Sequence, residues 1–148
     1  MSFASATPVP RYPLTLQPEN PEIISGEGGW PDVDPKIARI VMRLNGTVTL
    51  ERLVESIENA IQYIQSELAE WKALQMGDLG PKEKGLYLRA VYFTAKADLT
   101  ERYRDFDTTG DGERRVEDLV DAVDDARRNV RWAISDILNQ PRITVEAL

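Results

Sequence analysis

The chain contains no cysteine and no histidine. Those two absences exclude zinc sites built from thiolate or imidazole, thiol nucleophiles, and the Ser/His and Cys/His pairs of hydrolytic chemistry. No disulfide can form either, and a chain of 148 residues does not need one. It fits a single domain that buries roughly two-thirds of its unfolded surface. Basic residues are in the minority, with Lys plus Arg at 18 against Asp plus Glu at 25 and a net charge of -7. That sign is wrong for gripping duplex DNA by phosphate neutralisation. Long apolar runs are missing too: nothing approaches the ~18 consecutive apolar residues of a membrane span. The opening MSFASATPVPRYP has neither the charged nor the apolar region of a signal peptide, so neither export nor membrane insertion is expected.

Proline is present but confined. Pro8, Pro10, Pro13, Pro18, Pro21, Pro31 and Pro35 all fall near the start, where each removes a backbone donor and biases its predecessor toward extended backbone. No regular helix is expected before Asp34. Ser25-Gly26-Glu27-Gly28-Gly29 reads as a flexible joint, because a phosphate cradle would need a GK[ST] ending and a preceding strand. Residues 1–33 are therefore expected as an extended arm, residues 34–140 as the helical domain and residues 141–148 as an extended tail.

The helical domain opens at Asp34-Pro35, an acid at the N-cap and a proline at the first helical position. A short helix follows to Leu44, ended by Asn45-Gly46. Thr49 then caps a helix whose apolar stripe runs through Leu50, Leu53, Val54, Ile57, Ala60, Ile61, Ile64, Leu68, Trp71 and Leu74, which predicts one continuous rod to about Gln75. After Gly77, Gly80 and Pro81 a third helix carries Leu88, Val91, Tyr92, Ala95, Leu99, Tyr103 and Phe106. A fourth carries Val116, Leu119, Val123, Ala126, Val130, Ala133, Ile134 and Ile137, and stops at Asn139-Gln140-Pro141. Three long amphipathic helices and short turns predict an all-α, up-and-down bundle with the short helix across one end or side. In the tail, Ile143, Thr144 and Val145 favour extended backbone, so RITVEAL is either an edge-seeking strand or a frayed terminus.

Three constellations invite chemical readings and each has a plainer one. Asp107, Thr109, Asp111, Gly112 and Asp118 imitate a calcium loop, yet Arg114 and Arg115 stand at its eighth and ninth positions and the twelfth carboxylate is one methylene short. A turn with an acidic helix start explains it, and no metal is expected. Asp118, Asp121, Asp124 and Asp125 share a helix face with Arg127, Arg128 and Arg131 one turn on, which reads as a solvated or intersubunit charged face and not as a carboxylate active site. Arg102-Tyr103-Arg104 with Lys96 and Arg89 has the mix of a single-strand binder, but six cations against seven anions over residues 77–112 leave no positive groove. No catalytic residue and no cofactor are expected. On these residues alone the chain is a helical bundle with two adhesive ends, which leaves a small regulatory or protein-binding module open as a function.

Longer strings narrow this. GGWPDVDP, MRLNGTVTLERL, LYLRAVYFTAKADLTERYRDFDTTGDG and RWAISDILNQPRITVEAL, in that order and spacing, resemble the head completion/stabilisation (GPL) family of peduovirus-type, contractile-tailed temperate bacteriophages. The resemblance covers about residue 25 to the C-terminus, with DPK, ERYRDFDTT and RWAI..I..QPR its most specific parts. The connection Met76 to Gly85 is shorter than the family pattern. The resemblance implies a non-enzymatic virion protein of the neck, a head-tail connector assembled in the host cytoplasm as a ring, expected as a dodecamer, beneath the portal of a DNA-filled head. Its implied partners are the portal protein, neighbouring copies of itself and a tail completion or terminator protein, while packaged DNA passes through the channel without specific binding. With that role, Arg142, Ile143, Thr144, Val145, Glu146, Ala147 and Leu148 are expected to dock on the portal. Trp30, Asp118, Asp121, Asp124, Asp125, Arg127, Arg128 and Arg131 are expected between subunits.

Overall fold

The computed structural model describes residues 22–44, 46–104 and 112–140, without the side chains of 103–104 and 112–119. The protein is all-α. Its helices are α1 (Pro35–Met42), α2 (Leu50–Glu67), α3 (Ala69–Ala73), α4 (Pro81–Arg104) and α5 (Gly112–Ile137). The expected tail, the calcium-loop residues before Gly112, and arm residues 1–21 lie outside the described residues.

Local chemistry sets most of the helix ends. The Asp34 carboxylate accepts the Lys36 backbone N–H at 2.9 Å, with Pro35 beside it at the first helical position. Thr49 Oγ1 accepts from the Arg52 N–H at 3.3 Å. Each supplies a partner to one of the donors a helix start leaves unpaired. At the far end of α5, Asn139 adopts a left-handed φ of 58°, and the Gln140 N–H reaches back to the Ser135 carbonyl at 2.9 Å. That is a helix-terminating arrangement asparagine tolerates well.

Two expected boundaries differ. Helix α1 ends at Met42, earlier than the expected Leu44, because Arg43 turns left-handed at φ 54° and its N–H bonds back to Ile40. The second helix is also not one rod to Gln75. Leu68 leaves helical geometry at φ -102° and ψ 6°, separating α2 from α3. No proline or glycine marks this break, so the apolar spacing runs straight through it. Leu68 is fully buried, and α3 beyond it carries Trp71 against the core and Lys72 toward Trp30.

Helix α4 is the centre of the structure. It packs along α5 for most of its length and against α2 on another side, with α1 touching both α2 and α4. Among the described residues the backbones of α2 and α5 do not come into direct contact. The long helices therefore lie side by side, with α4 between its neighbours. Consecutive long helices run antiparallel, since Ser56 meets Asp98 and Gln65 meets Tyr87, while Arg89 meets Asn129 and Glu101 meets Arg127. This central position explains why α4 buries Tyr87, Ala90, Val91, Tyr92, Ala95, Ala97 and Leu99, a set too wide for one stripe. Its alanines face Val123, Ala126, Val130 and Ala133 of α5, small side chains that let two helix backbones come close.

The stretch before α1 is not a bare joint. The Ile24 and Val33 backbones exchange two 2.8 Å hydrogen bonds, closing residues 24–33 into a loop. Gly28 and Gly29 turn it at φ 66° and 88°. A Cβ on Gly26 would collide with the Trp30 carbonyl and stand 2.6 Å from that of Pro31. Val33 is buried in the main core, with Ile24 and Trp30 packed on it. The described part of the expected arm, residues 22–33, is thus docked on its own chain.

Candidate interaction surfaces

The 24–33 loop places Trp30 in a specific pocket. Its indole stacks on the Tyr87 ring at 4.7 Å and 28°, with Lys72 Nζ at 5.6 Å from the indole centroid. The Tyr87 hydroxyl accepts from the Gln65 side-chain amide at 3.1 Å. Burial pushes the Tyr87 hydroxyl above the ordinary tyrosine value, a rise that the Gln65 bond partly offsets. Tyr92 is also raised, first by burial and then by the Asp34 carboxylate. The Asp32 carboxylate pins the loop from within, accepting the Gly26 N–H at 2.7 Å. A shallow cleft beside the loop is lined by Ile24, Pro31, Ile61, Gln65 and Tyr87. This assembly fastens the 24–33 loop to the helices of its own chain.

A second, polar groove runs over α4 between α2 and α5, lined by Ser56, Asn59, Tyr63, Thr94, Asp98 and Arg127. Ser56 is 1% exposed and its hydroxyl reaches the Ala95 carbonyl at 3.2 Å and Asp98 Oδ2 at 2.8 Å. Asp98 in turn meets Arg102 at 3.4 Å. This ties α2 to α4 through a buried hydroxyl and a half-solvated carboxylate.

The charged residues of α5 divide into two kinds. Arg127 turns inward along the surface to Glu101 of α4 at 2.6 Å, and Arg128 bonds Asp125 of its own helix at 2.6 Å. Asp121, Asp124 and Arg131 are exposed. Asp118 lies in α5, with its side chain outside the described residues. Exposed pairs of this type contribute about 0–1 kcal/mol each, so their role in stability is small. Arg128 also covers the Trp132 ring at 5.2 Å, and that tryptophan remains 38% exposed. Among the described residues no group of three or more Asp or Glu side chains is placed to hold a metal ion. No helix among them is long and apolar enough to cross a membrane.

Sequence periodicity passes over one further surface. Helix α1 buries Pro35, Ala38 and Met42 while leaving Ile37, Ile40 and Val41 exposed. Part of the signal was available in the residues: a helical projection of PKIARIVM puts Ile37 and Ile40 away from the alanine, with Val41 at the edge of the buried side.

The described residues thus form a helical protein with apolar and charged outer faces and a tight intrachain clip at its glycine-rich loop. Its sequence matches the profile of the family described as phage head completion protein (GPL) over residues 24–79 and 82–148. It is 32% identical over 147 residues, 89% of this chain and 87% of the relative, to the head completion/stabilization protein of Escherichia phage P2. The chain belongs to the phage head completion protein (GPL) family. No solved structure matches it.

Proposed function

We propose that this chain is a structural head-tail connector of a tailed phage. It completes and stabilises the DNA-filled head, assembles as a ring of copies beneath the portal, and offers the platform on which tail completion proteins settle. The observation that carries this reading is the family match across both halves of the chain, joined by a relative of that name aligned over nearly all of it. The described surfaces are consistent with it, because they offer contact faces of unlike character, as head-to-tail repetition requires. Residues Arg142 to Leu148 dock on the portal by adding backbone hydrogen bonds at an exposed strand edge, and Asp121, Asp124 and Arg131 lie toward neighbouring subunits. The protein is a virion component.

The test is assembly without the chain. Heads packaged in its absence are expected to lose DNA to added nuclease and to remain tailless in electron micrographs. Normal genome retention and normal tail joining would overturn the proposal. Deleting residues 142–148 separates the tail's part: the helical content should be unchanged while binding to portal-bearing heads is lost.

A further inference from the structure

The outer face of α1 and the outer face of α5 differ in a complementary way. On α1, Ile37, Ile40 and Val41 are 51%, 69% and 42% exposed. At spacings of three and four they form one stripe, bordered by the exposed cations Lys36 and Arg43. Three branched aliphatics facing water on a helix that turns only Pro35, Ala38 and Met42 inward are an apolar patch of the kind that marks a contact surface. On α5, Asp121, Asp125, Arg128 and Trp132 recur along the side opposite the buried Val123, Ala126, Val130 and Ala133. There the aromatic is 38% exposed, Arg128 is already neutralised by Asp125 at 2.6 Å, and the exposed Asp121 and Asp124 outweigh the exposed Arg131 beside them, leaving the face slightly acidic.

These faces do not meet within one chain. Helix α1 packs on α2 and α4, and α5 packs on α4. We propose that the α1 face of one copy docks on the outer face of α5 of the next, Ile37 and Ile40 against Trp132, with Lys36 and Arg43 toward Asp121 and Asp124. The inference rests on the ring reading above and names its surfaces. A contact between unlike faces leaves a free α1 face at one end and a free α5 face at the other, so it propagates and closes only as a ring. One face of an eight-residue helix is well below the ~800 Å² per partner of a stable standard interface. Two copies alone therefore bind weakly, and the contact holds in the closed assembly.

A cysteine-free chain makes the test clean. Full-length protein carrying both Arg43→Cys and Asp124→Cys is treated with a short bis-maleimide, in concentrated solution and in assembled heads, beside each single variant. A ladder of covalent oligomers from the double variant, with no dimer from either single variant, is expected. Oligomers visible by sedimentation that give no ladder, a dimer from one single variant, or cross-links to the portal instead would overturn this interface and leave the ring intact. Absence of oligomers in solution and in heads alike would overturn the ring and this interface together. As a second arm, Lys36→Glu with Arg43→Glu should weaken self-association at least ~tenfold. Adding Asp121→Lys and Asp124→Lys in the same chain should restore it, whereas a loss that persists would speak against charge pairing of these faces.

Discussion

Trp30 is the residue at which an intrachain role and an intersubunit role can be separated by measurement. Its indole lies on Tyr87 at 4.7 Å, under Lys72 at 5.6 Å, and fastens the 24–33 loop to the core. Truncation by Trp30→Ala removes a stacked aromatic pair of about 1 kcal/mol and a surface cation–π contact of about 0.5 kcal/mol. It also exposes apolar surface from a side chain that is half-buried. These terms share atoms, and the loop relaxes on truncation, so the expected net loss is about 2–3 kcal/mol. For a chain of this length that corresponds to a melting temperature lowered by about 5–10 °C, read from the helical circular dichroism signal in a thermal scan. Lys72→Ala in the same background should add less than it costs alone, since its ring partner is gone. If Trp30→Ala melts with the wild type while self-association is abolished, the stack is incidental and Trp30 acts between subunits.

Two further outcomes follow from groups buried in or against α4. Ser56→Ala removes a hydroxyl bonded to the Ala95 carbonyl and to Asp98, an expected loss of about 1–2 kcal/mol by urea denaturation. If Ser56→Ala and Asp98→Ala add without coupling in a double-mutant cycle, the Ser56–Asp98 bond contributes nothing. Raising pH should destabilise the fold from the alkaline side. The unfolded tyrosines ionise at the ordinary value of 10.0, while folded Tyr87 and Tyr92 hold their protons higher. Above that pH the unfolded chain binds fewer protons, so stability falls as pH climbs through 10 toward the folded values. Tyr92→Phe should flatten this slope in thermal scans across the range, and an unchanged slope would show that Tyr92 does not carry it.

The sequence is legible where a short-range rule decides the outcome. Asp34-Pro35, Thr49 and Asn139 each name a helix end through side-chain chemistry or backbone tolerance, and the structure uses all three that way. Legibility fails where tertiary packing decides. Leu68 interrupts the second helix without any breaker residue, and it shares its complete burial with Leu53, Ile57 and Ile64 of the same stripe, so nothing local marks the break. Tyr87, Ala90 and Ala97 fall off the expected stripe of α4 because that helix is covered from several sides. The glycine-rich segment shows the opposite failure. Composition reads it as a joint, yet Gly26 is required by a carbonyl pressed against it, and Gly28 and Gly29 by their positive φ. Of the expected interface residues, the structure brings Asp125 to Arg128 and Arg127 to Glu101, and puts Trp30 on Tyr87, all within one chain.

In the ring proposed above, those intrachain pairs bear on how neighbouring subunits find their register. A single helix bearing acids and bases was expected to supply both signs of a subunit contact. Arg127 and Arg128, however, are each engaged within their own chain at 2.6 Å, so α5 presents Asp121 and Asp124 against the exposed Arg131, a small acidic excess. A matching positive excess is found on another element, where the exposed Lys36 and Arg43 border the apolar stripe of α1. Rim charges of this kind steer encounter and exclude wrong pairings, while apolar burial sets how long partners stay. Added salt should therefore slow ring formation more than it hastens release. Replacing Ile37 and Ile40 by polar residues should do the reverse, because it removes the surface whose burial holds neighbours together and leaves the steering charges in place.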